Sequence, residues 1–267
     1  MSKLISITII FAIIFFITLI SLAQTIEQEQ PAFTVSTSYK SLFSTPDQTG
    51  MLDRIVKEAF NRIGISAEIV FNPTGRSLED VNEGFADAEI NRIAGMEENY
   101  PNLIRVTEPN MIMHFVAFSK KDFVIDDWDS IRDLTIGVVQ GWKILEDNTS
   151  GFPYVTLVPT ETELFNMLDK NRLDIALYSK LAGYEQLMLH GLNDIYHLEP
   201  PLASREMYLY LNKKHTHLAD KVAEALRDMK EDGTYNLIVQ ETTGHLISGN
   251  NTYKYKDGVI IVNGEEK

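Results

Sequence analysis

IVFNPTGRSLEDVNEGFADAEINR, residues 69–92, decides how the rest of the chain is read. It has the pattern of a strand, a Pro-Thr turn, a short helix, a Gly-containing loop and a second extended segment. Leu78, Val81 and Phe85 fall on one face at helical spacing, and residues 88–90 are short and apolar enough for a buried strand. VTLVPTETELFNMLDKNRLDIALY, residues 155–178, repeats the order. Pro73-Thr74 answers Pro159-Thr160, and Leu78 answers Leu164, each five residues after its proline. Asp87-Ala88 answers Asp174-Ile175, with the aspartates 14 and 15 residues past their prolines. Two such units, about 86 residues apart, imply two similar α/β lobes. The first unit carries two arginines, Arg76 and Arg92, that the second does not match.

Working outward, residues 33–39 alternate as a first strand, and a loop with Pro46 and Asp47 as turn residues follows. Met51, Leu52, Ile55, Val56, Ala59, Phe60 and Ile63 share a helical face ending at Gly64, and residues 65–71 form a second strand. This β-α-β start favours a parallel sheet. Arg92 stands just past the next strand, and the carboxyl ends of parallel strands face the binding crevice of open α/β sheets. The second half repeats β-α-β-α-β. TIGVVQ (135–140) is its first strand, Gly141-Trp142-Lys143 starts a helix, Thr160 and Glu163 fit a capping box, and residues 173–178 are a strand. A helix is expected after Gly183. Residues 111–119 and 206–211 read as strands that cross between the halves, so the first lobe is discontinuous, the second is inserted, and the two crossings form a hinge. Residues 252–262 read as a β-hairpin turning at Asp257-Gly258.

Composition excludes several classes. Of the 267 residues, 24 are Lys or Arg and 38 Asp or Glu, giving a net charge of −14. Nucleic acid is excluded as a partner, because phosphate binding needs clustered cations. With no cysteine there is no disulfide, thiol catalysis or thiolate metal site. Lys3 followed by an apolar run from Leu4 to Leu22, then Ser21-Leu22-Ala23, has the pattern of a secretory signal peptide cleaved after Ala23. A retained membrane anchor is the alternative, since the run is long for a leader.

Further pieces fall in order along the chain: Tyr39 after strand one, Gly50 before the first helix, and Arg76, Leu78, Gly84, Asp87 and Arg92. Tyr100-Pro101-Asn102-Leu103, Trp128-Asp129-Ser130, Ile136-Gly137-Val138 with Gly141, and Asp232-Gly233-Thr234 complete the set. In this order and spacing the chain resembles a bacterial periplasmic solute-binding protein of family 3, the polar amino acid type, over roughly residues 33–240. The resemblance implies an α/β, two-lobed periplasmic-binding-protein-like fold (type II), each lobe a mixed sheet flanked by helices. The boundaries are residues 1–23 for the signal peptide, 24–117 plus 205–267 for lobe 1, and 118–204 for lobe 2. It further implies a monomer without cofactor or metal that closes on a small-molecule ligand in the periplasm. The partner would be the permease of an ABC-type importer. A membrane receptor, with the same fold used for sensing, is the alternative partner, and a dehydratase-like enzyme is a third use of the fold.

The resemblance also suggests the site. Arg92 occupies the place of the arginine that clamps a ligand carboxylate, for which a planar guanidinium fork is suited. Tyr39 is the aromatic of the first loop, and Gly141 and Trp142 are the contacts at the start of lobe 2. Family members usually carry an aspartate five residues after the second Asp-Ala to hold an α-amino group. Ser179 stands there, beside Tyr178, so either another acid such as Glu185 substitutes or the ligand is not an ordinary α-amino acid. Arg76 is either a ligand contact or the partner of Glu79 or Asp80. His114 reads as a packed core histidine. His215 and His217, in KKHTH, would share a face on a strand but lack the carboxylate spacing of a metal site. Asp126, Asp127 and Asp129 read as helix caps rather than a calcium loop. No nucleophile elbow, zincin motif, phosphate loop or paired-acid pattern is present.

Overall fold

Strand β1 (Phe33–Thr37) is held at its first turn by an aspartate from elsewhere in the chain. In the computed structural model, which describes residues 32–39 and 41–246 and the backbone of 252–256 and 259–263, Asp87 Oδ2 accepts from the Thr34 amide (2.8 Å) and hydroxyl (3.1 Å). The Asp87 amide donates to the Thr34 carbonyl at 2.9 Å. Eighty-odd residues on, Asp174 repeats the device on Thr135: its Oδ2 accepts from the Thr135 amide (3.0 Å) and hydroxyl (2.7 Å). The recurring aspartate of the sequence is thus a clasp joining the last strand of a β-α-β-α-β unit to its first.

Around the first clasp, β1 lies between β2 (Ala67–Phe71) and β3 (Ala88–Arg92), both parallel to it. Helix α1 (Met51–Arg62) connects β1 to β2, and α2 (Thr74–Asn82) connects β2 to β3. Two antiparallel strands follow, β4 (Leu103–Arg105) and the long β5 (Met111–Ser119). Around the second clasp, β6 (Ile136–Val139) lies between β7 (Val155–Val158) and β8 (Ile175–Ser179), again parallel. Helices α3 (Lys143–Asn148) and α4 (Glu161–Asp169) make these connections. Then come α5 (Lys180–His190), β9 (Tyr196–His197) and the ten-residue β10 (Ala203–Asn212).

The sheet runs in the order β2-β1-β3-β10-β5-β8-β6-β7, with β4 beside β10 and β9 beside β5. β10 is antiparallel to β3 along its second part and to β5 along its first. Two parallel sets are therefore joined only through the antiparallel pair β5–β10. Beyond β10, α6 (Thr216–Glu231) and α7 (Thr234–Thr243) pack on α1 and on each other. The buried face of α1 is the apolar set read from the sequence, Met51, Leu52, Ile55, Val56, Ala59 and Phe60. Thr160 caps α4 by accepting from the Glu163 amide at 3.2 Å, as its spacing suggests. The Ser130 amide donates to Asp127 Oδ1 at 2.9 Å, the capping role read for that acidic segment. The C-terminal β11 (Thr252–Lys256) and β12 (Val259–Asn263) form the antiparallel hairpin read from the sequence. The signal-peptide reading lies outside the described residues.

Two local expectations are corrected. Helix α5 begins at Lys180, directly after β8, and Gly183 sits inside its first turn rather than before it. The glycine is there for space: a Cβ at Gly183 would lie 2.2 Å from the Phe118 ring. His215 and His217 are not on a strand. Residues 213–215 form a 3-10 turn leading into α6, and His215 Nε2 lies 2.7 Å from Asp87 Oδ1. Among the described residues no group of His, Asp and Glu is arranged to hold a metal ion.

Gly183→Ala is expected to cost about 1–3 kcal/mol through overpacking against Phe118, read as a lowered thermal midpoint. Asp87 gives a pH-dependent test. Its burial opposes ionisation, but Lys214, the Thr34 amide and His215 outweigh that and hold its pKa at about 2. Its contribution is therefore present above the ordinary carboxylate range and lost as pH falls through 2. Asp87→Asn should lose about 2 kcal/mol at neutral pH and flatten the acid limb of a urea-stability profile below pH 4.

Candidate functional site

The carboxyl end of β3 does not run as a regular strand. Tyr208 of β10 faces Arg92, and Tyr210 faces Glu89, so a two-residue step on β10 opposes a three-residue step on β3. That is a one-residue bulge in β3. In a regular strand residues three apart point to opposite faces. The bulge puts Glu89 and Arg92 on the same one, and Arg92 Nη2 reaches Glu89 Oε1 at 2.7 Å. The Glu89 side chain is wholly buried, whereas 14% of the Arg92 side chain is exposed. Arg92 Nη2 also donates to Ser38 Oγ at 3.2 Å, just past β1.

Glu89 is supported on its other oxygen. Ser77 of α2 donates to Oε2, the Ser77 and Ser36 hydroxyls are 2.7 Å apart, and Asn72 Nδ2 donates to Ser36 Oγ at 3.0 Å. The burial of Glu89 raises its pKa to about 7, against the pull of Arg92 and Ser77 toward the charged form.

Tyr39 lies beside this pair. It is half-buried, its hydroxyl accepts from Asn91 Nδ2 at 3.2 Å, and its ring meets Phe43 edge-on at 5.3 Å. Burial raises its pKa. From the other parallel set, Trp142 packs on Tyr178 (4.9 Å between centroids) and edge-on against Phe115 of β5 (5.7 Å). The Tyr178 hydroxyl is held well above the ordinary tyrosine range, first by burial and then by the charges of Glu161 and Glu185 and by Tyr39. Tyr39 and Tyr178, from opposite parallel sets, are thus electrostatic neighbours. Glu185 of α5 reaches across as well: its Oε1 accepts from the Leu42 amide, in the segment between β1 and α1, at 2.8 Å. Burial pushes the Glu185 carboxyl up.

The remaining residues singled out from the sequence fall elsewhere. Arg76 is exposed on α2 and pairs with Asp80 at 3.6 Å, one turn on, which is the pairing its second reading gives. Gly141 has φ +96, in the left-handed region. Its amide donates to Glu146 Oε1 at 2.6 Å within the start of α3, so this N–H is taken by a side chain. Ser179 is buried at the N-cap of α5 with no side-chain capping bond. The charge beside it is Lys180, buried and paired with Glu199 at 2.7 Å. His114 is half-buried, with Nδ1 2.8 Å from Ser204 Oγ across the β5–β10 pair.

Glu89, Asn91 and Phe115 were not among the residues read from the sequence. An acid inside the short apolar segment before Arg92 was the one available signal for Glu89. Its i,i+3 spacing from Arg92 gave no reason to pair them in a strand.

Residues 37–245 match the family model of the bacterial extracellular solute-binding proteins, family 3. A Shewanella oneidensis protein, described as an uncharacterized protein, is 25% identical over 201 residues, covering 70% of this chain and 74% of its own length. Among solved structures, the GluR0 ligand-binding core in complex with L-glutamate superposes with a TM-score of 0.69 at 11% identity, covering 81% of this chain and 100% of that one. The P235GK mutant of ArgBP from T. maritima gives a TM-score of 0.60 at 17% identity (80% and 95% covered). A histidine kinase sensor domain with similarity to periplasmic binding proteins gives 0.63 at 15% (80% and 96%). At these identities the structures establish the fold alone, a mixed α/β, periplasmic-binding-protein-like one.

Arg92→Ala is expected to destabilise by about 3–5 kcal/mol, because it strands a buried carboxylate. The Glu89→Gln/Arg92→Met double variant, which removes both charges, should recover most of that loss in a urea-unfolding cycle.

Proposed function

The chain belongs to the bacterial extracellular solute-binding proteins, family 3, and from that premise we propose that it captures a small polar ligand bearing a carboxylate, an amino acid or a close relative. Capture is non-enzymatic and takes place in the periplasm after removal of residues 1–23. Two lobes do it, residues 24–117 with 205–267 and residues 118–204, hinged where β5 and β10 run between them. Open lobes admit the ligand, Arg92 meets its carboxylate, and Trp142 and Tyr178 close over it beside Tyr39. The closed form is delivered to an ABC-type importer.

The observation that carries this reading is the meeting of both parallel sets at Tyr39. Asn91 touches its hydroxyl, the Arg92–Glu89 pair acts on its charge, Tyr39 in turn acts on Tyr178, and the Leu42–Glu185 bond spans the same gap. Groups so placed can be wetted in an open form and buried in a closed one. A sensing role, with a membrane receptor in place of a permease, is the second reading, favoured by the likeness to a histidine kinase sensor domain.

A thermal-shift screen over amino acids, small carboxylates and amines should yield stabilising compounds, and the hits should bear a carboxylate. A ligand at 100 times its Kd raises stability by about 2.7 kcal/mol. The Glu89→Gln/Arg92→Met variant should stay folded and lose at least about tenfold in affinity by calorimetry, given the strength of charge-assisted bonds. Unchanged affinity would remove Arg92 from the site.

A further inference from the structure

The bonds around Glu89 have a direction. Ser77 has one proton and gives it to Glu89 Oε2, so in its 2.7 Å contact with Ser36 it accepts, and Ser36, which itself accepts from the Asn72 amide nitrogen at 3.0 Å, is the donor. The other oxygen, Oε1, lies 2.7 Å from Arg92 Nη2. Ser77 and Arg92 thus both present donors to this carboxylate, in a place with no exposed surface. The groups acting on it come from two elements, Arg92 on β3 and Ser77 on α2, and it acts in turn on Tyr39 after β1. Arg92 is the one cation of that set. The ligand-binding reading gives Arg92 the task of meeting a carboxylate, yet its charge is already balanced inside the protein. Across the gap, the charges acting on Tyr178 are the two acids Glu161 and Glu185.

We propose that Glu89 is a positioning and specificity-determining residue. It fixes the Arg92 guanidinium from one side and cancels its charge, so that the site accepts a ligand whose carboxylate belongs to a neutral or cationic molecule and rejects dianions. The proposal rests on the reading of Arg92 as the ligand's anchor. A guanidinium with a buried counter-ion still offers directed N–H donors, but it no longer supplies a net positive potential. A zwitterion needs the donors alone, and its amine gains from Glu161 and Glu185. A dicarboxylate needs the potential, and meets net negative charge instead.

The test compares the intact wild-type chain with Glu89→Gln and Glu89→Asp by calorimetry at pH 8, using L-glutamine, L-arginine, L-glutamate and succinate as probes. The wild type should prefer glutamine or arginine over glutamate and succinate. Glu89→Gln, which keeps the shape and removes the charge, should shift the succinate-to-glutamine affinity ratio toward succinate by at least about tenfold, the scale of a close charge at the edge of a protein. Glu89→Asp should keep the wild-type preference. An unchanged ratio in Glu89→Gln overturns the proposal, because a purely structural role would lower all affinities together.

If no probe binds the wild type, the carboxylate-ligand reading fails, and a ligand-free measurement decides the role of Glu89. Carbon-detected NMR should then show the Glu89 carboxyl titrating near a pKa of about 7, and the nitrogen-detected signals of the Arg92 side chain, 2.7 Å away, should register that change of charge. An Arg92 signal indifferent to the ionisation of Glu89 overturns the charge-balance proposal.

Discussion

A carboxylate without exposed surface has to be given its hydrogen bonds and its counter-charge by the protein, or it stays protonated. Glu89 is given both, and the way it is given them shapes the end of β3. The bulge opposite Tyr208 and Tyr210 is what lets a glutamate and an arginine three residues apart share a face. Without it, one of them would point to the other face of the sheet and each would lose the other as a partner. The same bulge sets where β3 stops pairing with β10, and so where Asn91, Tyr39 and Ser38 gather. The local backbone irregularity, the buried ion pair and the position of the aromatic ring are one constraint seen three ways.

The two aspartate clasps do a different job. Asp87 and Asp174 each bind the amide and hydroxyl of a threonine at the start of a parallel set, and each has a lysine, Lys214 or Lys121, within ion-pair distance. They lie at the amino ends of β3 and β8, opposite the ends where the candidate site forms. Each clasp fixes the order of its strands at one end and leaves the other end free to diverge. β3 ends in Asn91 and Arg92, whereas β8 ends in Tyr178 and Ser179. Shared framework and unshared chemistry are thus separated along the length of the same strands.

This separation explains what was legible in the sequence. The repeated Pro-Thr, leucine and aspartate positions encode the framework, and framework residues recur because the same turn, helix face and clasp are needed twice. The apolar face of α1, the Thr160 cap and the crossing strands β5 and β10 follow from spacing in the same way. The candidate site was legible in part. Tyr39, Trp142, Tyr178 and Arg92 stand at strand ends that a doubly wound pattern places together. Arg76 shares a helix with Asp80 and takes the nearer partner. Gly141 reads as a contact at the start of the second lobe, and its amide donates to Glu146, a partner that spacing alone did not suggest. The helix start at Lys180 was hidden because Gly183 reads as a breaker, when the Phe118 ring is what demands it. Glu89 was hidden most deeply, because a bulge changes the face of a residue without changing the composition around it.

The antiparallel pair β5–β10 sets the mechanical limits of the reading. Among the described residues it alone carries strand pairing between the parallel sets, so a change in their relative attitude bends two strands and breaks few other backbone bonds. The Leu42–Glu185 bond is of another kind: one hydrogen bond between a loop and a helix, accepted by a carboxylate whose pKa burial pushes up. A carboxylate that is costly to bury gains solvation when the gap opens, and gains the Leu42 amide when it closes. The two effects oppose each other, and the bond itself is worth about 1.5–3 kcal/mol, as for a hydrogen bond to a charged group. On the proposed reading, a small ligand that adds bonds only in the closed form would shift this balance toward closure.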